Sequence, residues 1–159
     1  MDNFKILIVD DNKLNIYSLK LLIEDNFDNL DIYEALSVKE AFKIIDTQNI
    51  HLILSDIQMP QMDGFEFIEK LHSFDKYKNI PIIFITGIYN DSKYLKKGYK
   101  LGAIDYITKP IDDEILTLKL NSYMQLLKKA SNEENEYKNL LEDMKNEDKK
   151  DEILENLYK

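Results

Sequence analysis

The fold of this 159-residue chain is decided by the stretch Phe4-Lys5-Ile6-Leu7-Ile8-Val9-Asp10-Asp11-Asn12. Its largely apolar, partly β-branched first six residues predict a strand, and the acidic run that follows ends this strand. Apolar residues then recur at the spacing of a helix, at positions Ile16, Leu19 and Ile23. A strand, a polar loop and a helix in this order form the repeating unit of a parallel sheet.

The same unit recurs along the chain. Further strands are predicted over residues 31–36, 50–54, 81–85 and 103–107. Ser37 and Glu40 form a capping box that opens the second helix, and the third has apolar residues at positions 65, 68 and 71. Residues 90–101 are a weak helix former because Gly98 lies among them, and a last helix is predicted from Ile115. Five strands alternating with five helices predict the doubly wound α/β class, a parallel sheet with helices on both faces.

The last helix is predicted to extend well beyond the sheet. A 4-3 spacing typical of a coiled-coil seam runs through Leu116, Leu120, Tyr123, Leu127, Ala130, Glu134, Tyr137, Leu141 and Met144. Residues 131–159 hold ten acidic residues and five Lys, so a solvated or disordered tail is the alternative. We interpret residues 1–128 as one domain and residues 129–159 as an acidic, helical extension that associates with a second copy.

Composition excludes several classes of function. The absence of Cys rules out disulfides, thiol chemistry and Cys-based zinc sites. A formal charge of −9, with Lys as every basic residue, argues against direct binding of nucleic acid. No apolar run reaches the roughly 18 residues that span a bilayer, and the first residues do not resemble a secretory signal. We therefore expect a cytoplasmic protein without a membrane anchor.

Polar residues stand where the predicted strands end: Asp10, Asp11, Asp56, Thr86 and Lys109. Each has a structural explanation when taken singly, as a helix cap, a turn residue or a surface lysine. Ligand sites of doubly wound folds lie beyond the carboxyl ends of the strands, so these groups are predicted to converge. Carboxylates about 5 Å apart repel by roughly 3 kcal/mol per pair, so a cation is needed among them.

An all-oxygen site that faces one Lys suits Mg²⁺, or Mn²⁺, better than a softer metal. Asp56 beside such a cation could accept a phosphoryl group as a nucleophile. Lys109 and Thr86 would then contact the oxygens of that group, and no separate general base is evident.

Four segments carry a family resemblance: Val9-Asp10-Asp11, Asp56-Ile57-Gln58-Met59-Pro60-Gln61-Met62-Asp63-Gly64, Ile85-Thr86-Gly87, and Gly102 to Lys109-Pro110. Over roughly residues 4–128 the chain resembles the receiver domain of two-component response regulators. The resemblance implies a flavodoxin-like sheet of strand order 2-1-3-4-5. It also implies a signalling switch that catalyses only its own phosphorylation and dephosphorylation.

Carried over to this chain, the resemblance implies that a histidine kinase or a phosphotransfer protein phosphorylates Asp56. Asp10, Asp11 and Asp56 would bind Mg²⁺ together with the backbone carbonyl of Gln58. Thr86 and Lys109 would contact the acyl phosphate.

The resemblance also implies a switch made of Thr86 and Tyr106, the aromatic ring of which turns inward when Thr86 moves toward the phosphate. The alternative for Tyr106 is a half-buried strand residue. Lys109-Pro110 corresponds to the family's cis peptide bond. His51 and His72 are interpreted as a strand-edge residue and an exposed helical residue, both away from the site.

Other functions fit less well. A phosphatase with an Asp nucleophile, of the haloacid dehalogenase type, has a second Asp two residues later, where Gln58 stands here. A flavin binder would need a Gly/Ser/Thr-rich first loop in place of Asp-Asp-Asn. A receiver-like scaffold that is never phosphorylated remains open.

Output is expected through the face formed by helix 4, strand 5 and helix 5, and through the C-terminal helix. In one interpretation this helix pairs two receivers as a homodimer in a longer protein with an effector elsewhere. In the other, the chain is a complete single-domain regulator. The unbroken helical register favours the first.

Overall fold

The computed structural model describes residues 2–87, 91–145 and 155–157. Strands and helices alternate through this part of the chain. The strands are β1 (Phe4–Val9), β2 (Leu30–Ala35), β3 (Leu52–Asp56), β4 (Ile82–Thr86) and β5 (Asp105–Thr108). The helices are α1 (Lys13–Asn26), α2 (Val38–Thr47), α3 (Gly64–His72), α4 (Ser92–Leu101) and α5 (Asp113–Lys145).

The five strands form one parallel sheet in the order β2-β1-β3-β4-β5. Within this sheet, Ile6 of β1 lies beside Ile32 of β2 and Leu52 of β3. The doubly wound fold and the predicted strand order are both confirmed. Because all strands run the same way, the residues at their carboxyl ends share one edge of the sheet.

Both faces of the sheet are buried, as the apolar strand sequences predict. One face packs against α2, α3 and α4 in a single core cluster, which includes Leu7, Val9, Ile53, Phe67, Phe84 and Tyr106. Residues of the opposite face line a cavity together with Leu19 of α1; they are Ile8, Leu54 and Ile85. The central strands are thus held between two layers of helices.

Some predicted boundaries were wrong by one or two residues. Ile50 is buried but precedes β3, because its N–H donates to the carbonyl of Gln48 in a tight turn. The last helix begins at Asp113 and not near Ile115, since Asp112 caps it by accepting from the Ile115 N–H. Such caps and turns depend on local hydrogen bonds that hydrophobic periodicity does not reveal.

The helix caps largely follow the sequence. Ser37 accepts from the Glu40 N–H at 3.2 Å, as the capping box predicts. The Glu40 carboxylate reaches back to the N–H of Leu36, one residue before the cap. α4 forms in spite of Gly98; its assigned start is Ser92, and residue 90 of the predicted range lies outside the described residues.

The two histidines have structural partners. The Nδ1 of His51 accepts from the Lys5 N–H at 2.8 Å, at the end of β1 opposite Asp10. The prediction of an exposed His72 was wrong: this residue is half-buried, and its Nε2–H donates to the carbonyl of Ile80 at 2.9 Å.

The chain divides into two compact units, Met1–Lys119 and Leu120–Lys159. α5 is continuous over 33 residues. Along the predicted seam, Leu116 and Leu120 are buried within the single chain, whereas Tyr137 is 63% exposed and Leu141 39%. The side chain of Met144 lies outside the described residues. In the described part of the chain, no helix is both long and apolar enough to cross a membrane.

Candidate functional site

The predicted site residues lie at the carboxyl edge of the sheet. Asp10 directly follows β1, and Asp56 is the last residue of β3. Thr86 ends β4, and Lys109 directly follows β5. The ladder between β3 and β4 pairs Asp56 with Ile85, and the next ladder pairs Thr86 with Thr108, so register holds these ends side by side.

Three carboxylates form a cluster at this edge. Each of Asp10, Asp11 and Asp56 offers one oxygen, and these oxygens lie within 4.8 Å of one another. Asp10 is only 5% exposed, and its Oδ1 accepts from the Asn12 N–H at 2.9 Å. Asp56 is half-buried, and its Oδ1 accepts from the Ile57 N–H at 2.8 Å. Backbone amides therefore fix the direction of two of these carboxylates.

Lys109 brings a positive charge to the cluster. Its Nζ lies 3.6 Å from Asp10 Oδ2 and 3.7 Å from Asp56 Oδ1. Its backbone N–H donates to the carbonyl of Thr86 at 2.8 Å, which ties the end of β5 to the end of β4. The Lys109–Pro110 peptide bond is cis, as the family resemblance implies.

The electrostatics of Asp56 follow from this crowding. Burial raises the pKa of Asp56 above its ordinary value of 3.8, and the charges of Asp10 and Asp11 raise it further. The ammonium of Lys109 and the Ile57 N–H oppose this rise in the pKa without cancelling it. One lysine thus leaves an excess of negative charge, and hard carboxylate oxygens are the donor set that suits Mg²⁺. The residues present fit a small divalent cation.

The loop after Asp56 requires a glycine at its end. A Cβ on Gly64 would lie 2.6 Å from the carbonyl oxygen of Asp56 and 2.8 Å from the Cα of Ile57. Asp63 caps α3 by accepting from the Glu66 N–H at 2.8 Å. Gln58 lies in this loop with its side chain exposed, and its carbonyl as a metal ligand stays a prediction.

Tyr106 points inward from β5 and is 6% exposed. Its hydroxyl donates to the carbonyl of Leu95 at 2.9 Å and to that of Tyr94 at 3.3 Å, both in α4. Gly98 makes room for this ring, because a Cβ there would overlap the Tyr106 hydroxyl. On the other side, Lys119 of α5 donates to the carbonyl of Tyr106 at 2.7 Å. The inward ring thus contacts α4, and its backbone contacts α5.

A cavity of about 380 Å³ opens beside the carboxylates. Asp10, Asp56 and Lys109 form its polar end, and Pro110 with residues of α1 forms much of the rest.

Sequence reasoning identified the charged residues but missed two residues of α4. Tyr94 and Gly98 contact Tyr106, and neither had been assigned a role. A glycine inside a helical pattern was the available signal, since it weakens the helix and often has a packing reason.

Comparisons with known proteins agree with this geometry. A probable transcriptional regulator, ycf29, of Porphyra purpurea is 37% identical over 81% of this chain and 63% of its own length. A probable cyclic di-GMP phosphodiesterase of Vibrio cholerae is 35% identical over 76% of this chain and 26% of its own length. The chain therefore spans less than two thirds of these relatives.

Among solved structures, the receiver domain of the Francisella response regulator 1452 superposes with a TM-score of 0.68. It is 30% identical, and the match covers 81% of this chain and 99% of that one. The family model described as "Response regulator receiver domain" matches residues 6–121. The chain therefore belongs to the response regulator receiver domain family, which signals in two-component systems.

Proposed function

We propose that this chain is a phosphorylation-activated switch in which Asp56 accepts a phosphoryl group. Receiver domains interact with histidine kinases or phosphotransfer proteins, and one of these would be the donor. Asp10, Asp11 and Asp56, with the Gln58 carbonyl, would hold Mg²⁺ or Mn²⁺. We include in this proposal the division into a receiver at residues 1–128 and an extension at 129–159.

The observation that carries the proposal is the cluster of three carboxylates with one lysine among them. The carboxylate oxygens lie within 4.8 Å of one another, and Lys109 Nζ is nearly equidistant from Asp10 and Asp56. Carboxylates this close together destabilise a fold unless a cation binds among them. A bound cation can in turn hold an anionic ligand. Receiver domains bind Mg²⁺ through acidic residues of this kind.

The transfer step needs no separate base. An Asp56 oxygen forms the new P–O bond while the P–N bond of a phosphohistidine breaks, and the electron pair of that bond stays on the imidazole nitrogen. When bound, Mg²⁺ would neutralise charge on the oxygens of the transferring group. Lys109 would neutralise the same oxygens from the other side, and Thr86 would donate a hydrogen bond to one of them. The chain would be a phosphoacceptor and not an enzyme that turns over other substrates.

The switch would then run from Thr86 to Tyr106 and on to the face formed by α4, β5 and α5. Phosphorylation would replace the single charge of the Asp56 carboxylate by a phosphoryl group that carries close to two negative charges, near Thr86, which is 3% exposed. Tyr106 already connects this region to α4 through its hydroxyl and to α5 through Lys119. These contacts support output through α4 and α5.

The expected output is association of two chains through α5. Leu116 and Leu120 are buried within one chain, so pairing would use the exposed part of the seam, including Tyr137 and Leu141. The curated relatives are longer than this chain, and the Vibrio protein is named for phosphodiesterase activity. We infer that dimerisation would control the activity of an effector of that general kind, or the binding of a partner.

The test of the switch is intact-mass measurement after incubation with acetyl phosphate and Mg²⁺. One phosphoryl adduct is expected on the wild-type chain, lost in Asp56→Asn and in EDTA. Asp28→Asn is the matched control, because Asp28 is exposed and outside the cluster. An adduct that persists in Asp56→Asn would refute the assignment of the phosphoacceptor. With a cognate kinase as donor, the absence of any adduct would favour a scaffold that is not phosphorylated.

The test of association is sedimentation with and without beryllofluoride, which mimics the aspartyl phosphate. We expect a dimer that Leu141→Glu abolishes and Leu140→Glu, one residue off the seam, preserves. Monomers at high concentration in both states would reject the dimer, whereas dimers in both would reject its dependence on phosphate.

A further inference from the structure

The hydroxyl of Tyr94 is a buried hydrogen-bond donor that has no role in the site described above. Among the residues that the structure describes, it is the buried side-chain polar atom that has no hydrogen-bond partner. A buried donor left unpaired costs free energy, and native structures rarely keep one without a reason. A phenylalanine at this position would avoid that cost. The presence of the hydroxyl therefore indicates a ligand that it binds in another state of the protein.

The position of this hydroxyl is fixed by its surroundings. The Tyr94 ring packs edge-on against Phe65, with ring centroids 4.9 Å apart. Asp91, the N-cap of α4, accepts from the backbone N–H of Tyr94 at 3.3 Å. Helix capping and ring packing therefore hold the hydroxyl in place before any ligand arrives.

The hydroxyl lies near the residues of the carboxylate site. The Thr86 side chain and the charges of Asp63 and Asp56 act on it, yet it makes no hydrogen bond. Burial raises the pKa of Tyr94, the charges of Asp63 and Asp56 raise it further, and the Thr86 side chain opposes them weakly. The phenol therefore keeps its proton at neutral pH and can only gain from an added acceptor.

The backbone of the same residue contacts the other half of the switch. The Tyr94 carbonyl accepts from the Tyr106 hydroxyl at 3.3 Å, next to the stronger bond to Leu95 at 2.9 Å. Tyr94 is thus placed between Thr86 and Tyr106, with its side chain toward the first and its carbonyl toward the second. A contact made by its hydroxyl would act directly on the first turn of α4.

We propose that the Tyr94 hydroxyl is a further phosphoryl-binding group, which donates a hydrogen bond to an oxygen of the phosphoryl group on Asp56. This inference rests on the proposed function. The new bond satisfies the buried donor and is charge-assisted, because the acceptor carries negative charge. It ties the first turn of α4 to the phosphorylated site and so adds a link between phosphate and Tyr106 that does not depend on movement of Thr86.

The test compares Tyr94→Phe with Tyr99→Phe, in the presence and absence of Mg²⁺ and beryllofluoride. Tyr99 is a matched control because it lies in the same helix, 48% exposed, with its hydroxyl toward Asp105. Without ligand, Tyr94→Phe should melt at or above the wild-type temperature, since it loses only an unpaired donor. With ligand, the concentration of beryllofluoride needed for half-maximal stabilisation should rise about tenfold or more in Tyr94→Phe. Tyr99→Phe should respond as the wild type does.

The possible failures are distinguishable. If the wild-type chain binds beryllofluoride and Tyr94→Phe binds it equally well, the inference is overturned and the proposed function stands. Tyr94→Phe could instead lower the melting temperature without ligand by as much as it reduces the stabilisation by beryllofluoride. The hydroxyl would then have a structural role only, and the inference would be overturned. If the wild-type chain shows no response to beryllofluoride, the proposed function itself fails.

Discussion

Replacing Asp56 by Asn should stabilise the metal-free protein. The change removes one negative charge from the carboxylate cluster and keeps the size of the side chain. The amide oxygen can still accept from the Ile57 N–H, which now bonds Asp56 at 2.8 Å. The difference in stability therefore reports the electrostatic cost of this carboxylate.

The distances set the size of the effect. An oxygen pair 4.8 Å apart, the upper limit in this cluster, repels by about 3.5 kcal/mol at an effective dielectric constant near 20. Lys109 at 3.7 Å attracts Asp56 by about 4.5 kcal/mol on the same scale. The repulsion of Asp56 by Asp10 and Asp11 thus exceeds its attraction to Lys109. Solvent around the exposed Asp11 weakens one of the two repulsions, whereas burial of Asp56 adds to the cost of its charge. We expect a gain of about 1–2 kcal/mol, or roughly 3–8 °C in melting temperature.

The effect should depend on pH in a defined direction. The folded pKa of Asp56 is raised above 3.8, so the destabilising charge is fully present above the raised pKa. As the pH falls through that pKa, the folded protein takes up a proton and the advantage of Asp56→Asn shrinks. Saturating Mg²⁺ at neutral pH should also remove the advantage, because the cation stabilises the wild-type cluster more.

Thermal unfolding followed by circular dichroism in EDTA at neutral pH measures this difference. Asp28→Asn carries the same charge change at an exposed site outside the cluster and should shift the melting temperature little. An Asp56→Asn protein that is no more stable than the wild type in EDTA would refute the reasoning. So would an advantage that does not change with pH.

The remaining predictions concern Lys109 and the contact between α4 and Tyr106. Lys109→Met removes the ammonium from between Asp10 and Asp56, so metal-free protein should lose about 2 kcal/mol of stability. Mg²⁺ should restore most of this loss, and melting curves with and without EDTA would show whether it does. Gly98→Ala should cost about 1–3 kcal/mol in urea unfolding, because its Cβ overlaps the Tyr106 hydroxyl and lies 2.9 Å from Cζ. Tyr106→Phe should cost about 1 kcal/mol through its lost hydrogen bonds to α4. Combining it with Gly98→Ala should cost less than the two separate changes together, and strict additivity would contradict the overlap.

The parts of the fold that sequence predicted well are those set by hydrophobic pattern. The apolar run of β1 determines a strand buried on both faces, and the acidic residues after it must leave the core. The same logic placed Thr86 and Lys109 at one edge, because parallel strands bring their carboxyl ends together. The charges of the candidate site were therefore predictable, since each lies at the end of a strand or within two residues after it.

Features that depend on one particular hydrogen-bond partner were not predictable in this way. His72 occupies a position that a helical pattern leaves polar, yet its ring is bonded to the carbonyl of Ile80 across the following loop. Ile50 looks like strand but is held in a turn by the Gln48 carbonyl. In both cases a single tertiary or local hydrogen bond overrides the pattern, and one sequence does not specify which acceptor will be near.

α4 shows why a weak helical signal can accompany function. Gly98 costs about 1 kcal/mol of helix propensity relative to Ala, and the Asp91 cap and Gly102 at φ 109° at the two ends offset part of that cost. Gly98 leaves space for the Tyr106 ring, and the side chain of any larger residue would displace that ring. A helix that must make room for an aromatic ring from the sheet cannot also have the best sequence for a helix. The helix whose sequence favours helical structure only weakly is thus the one that packs against Tyr106.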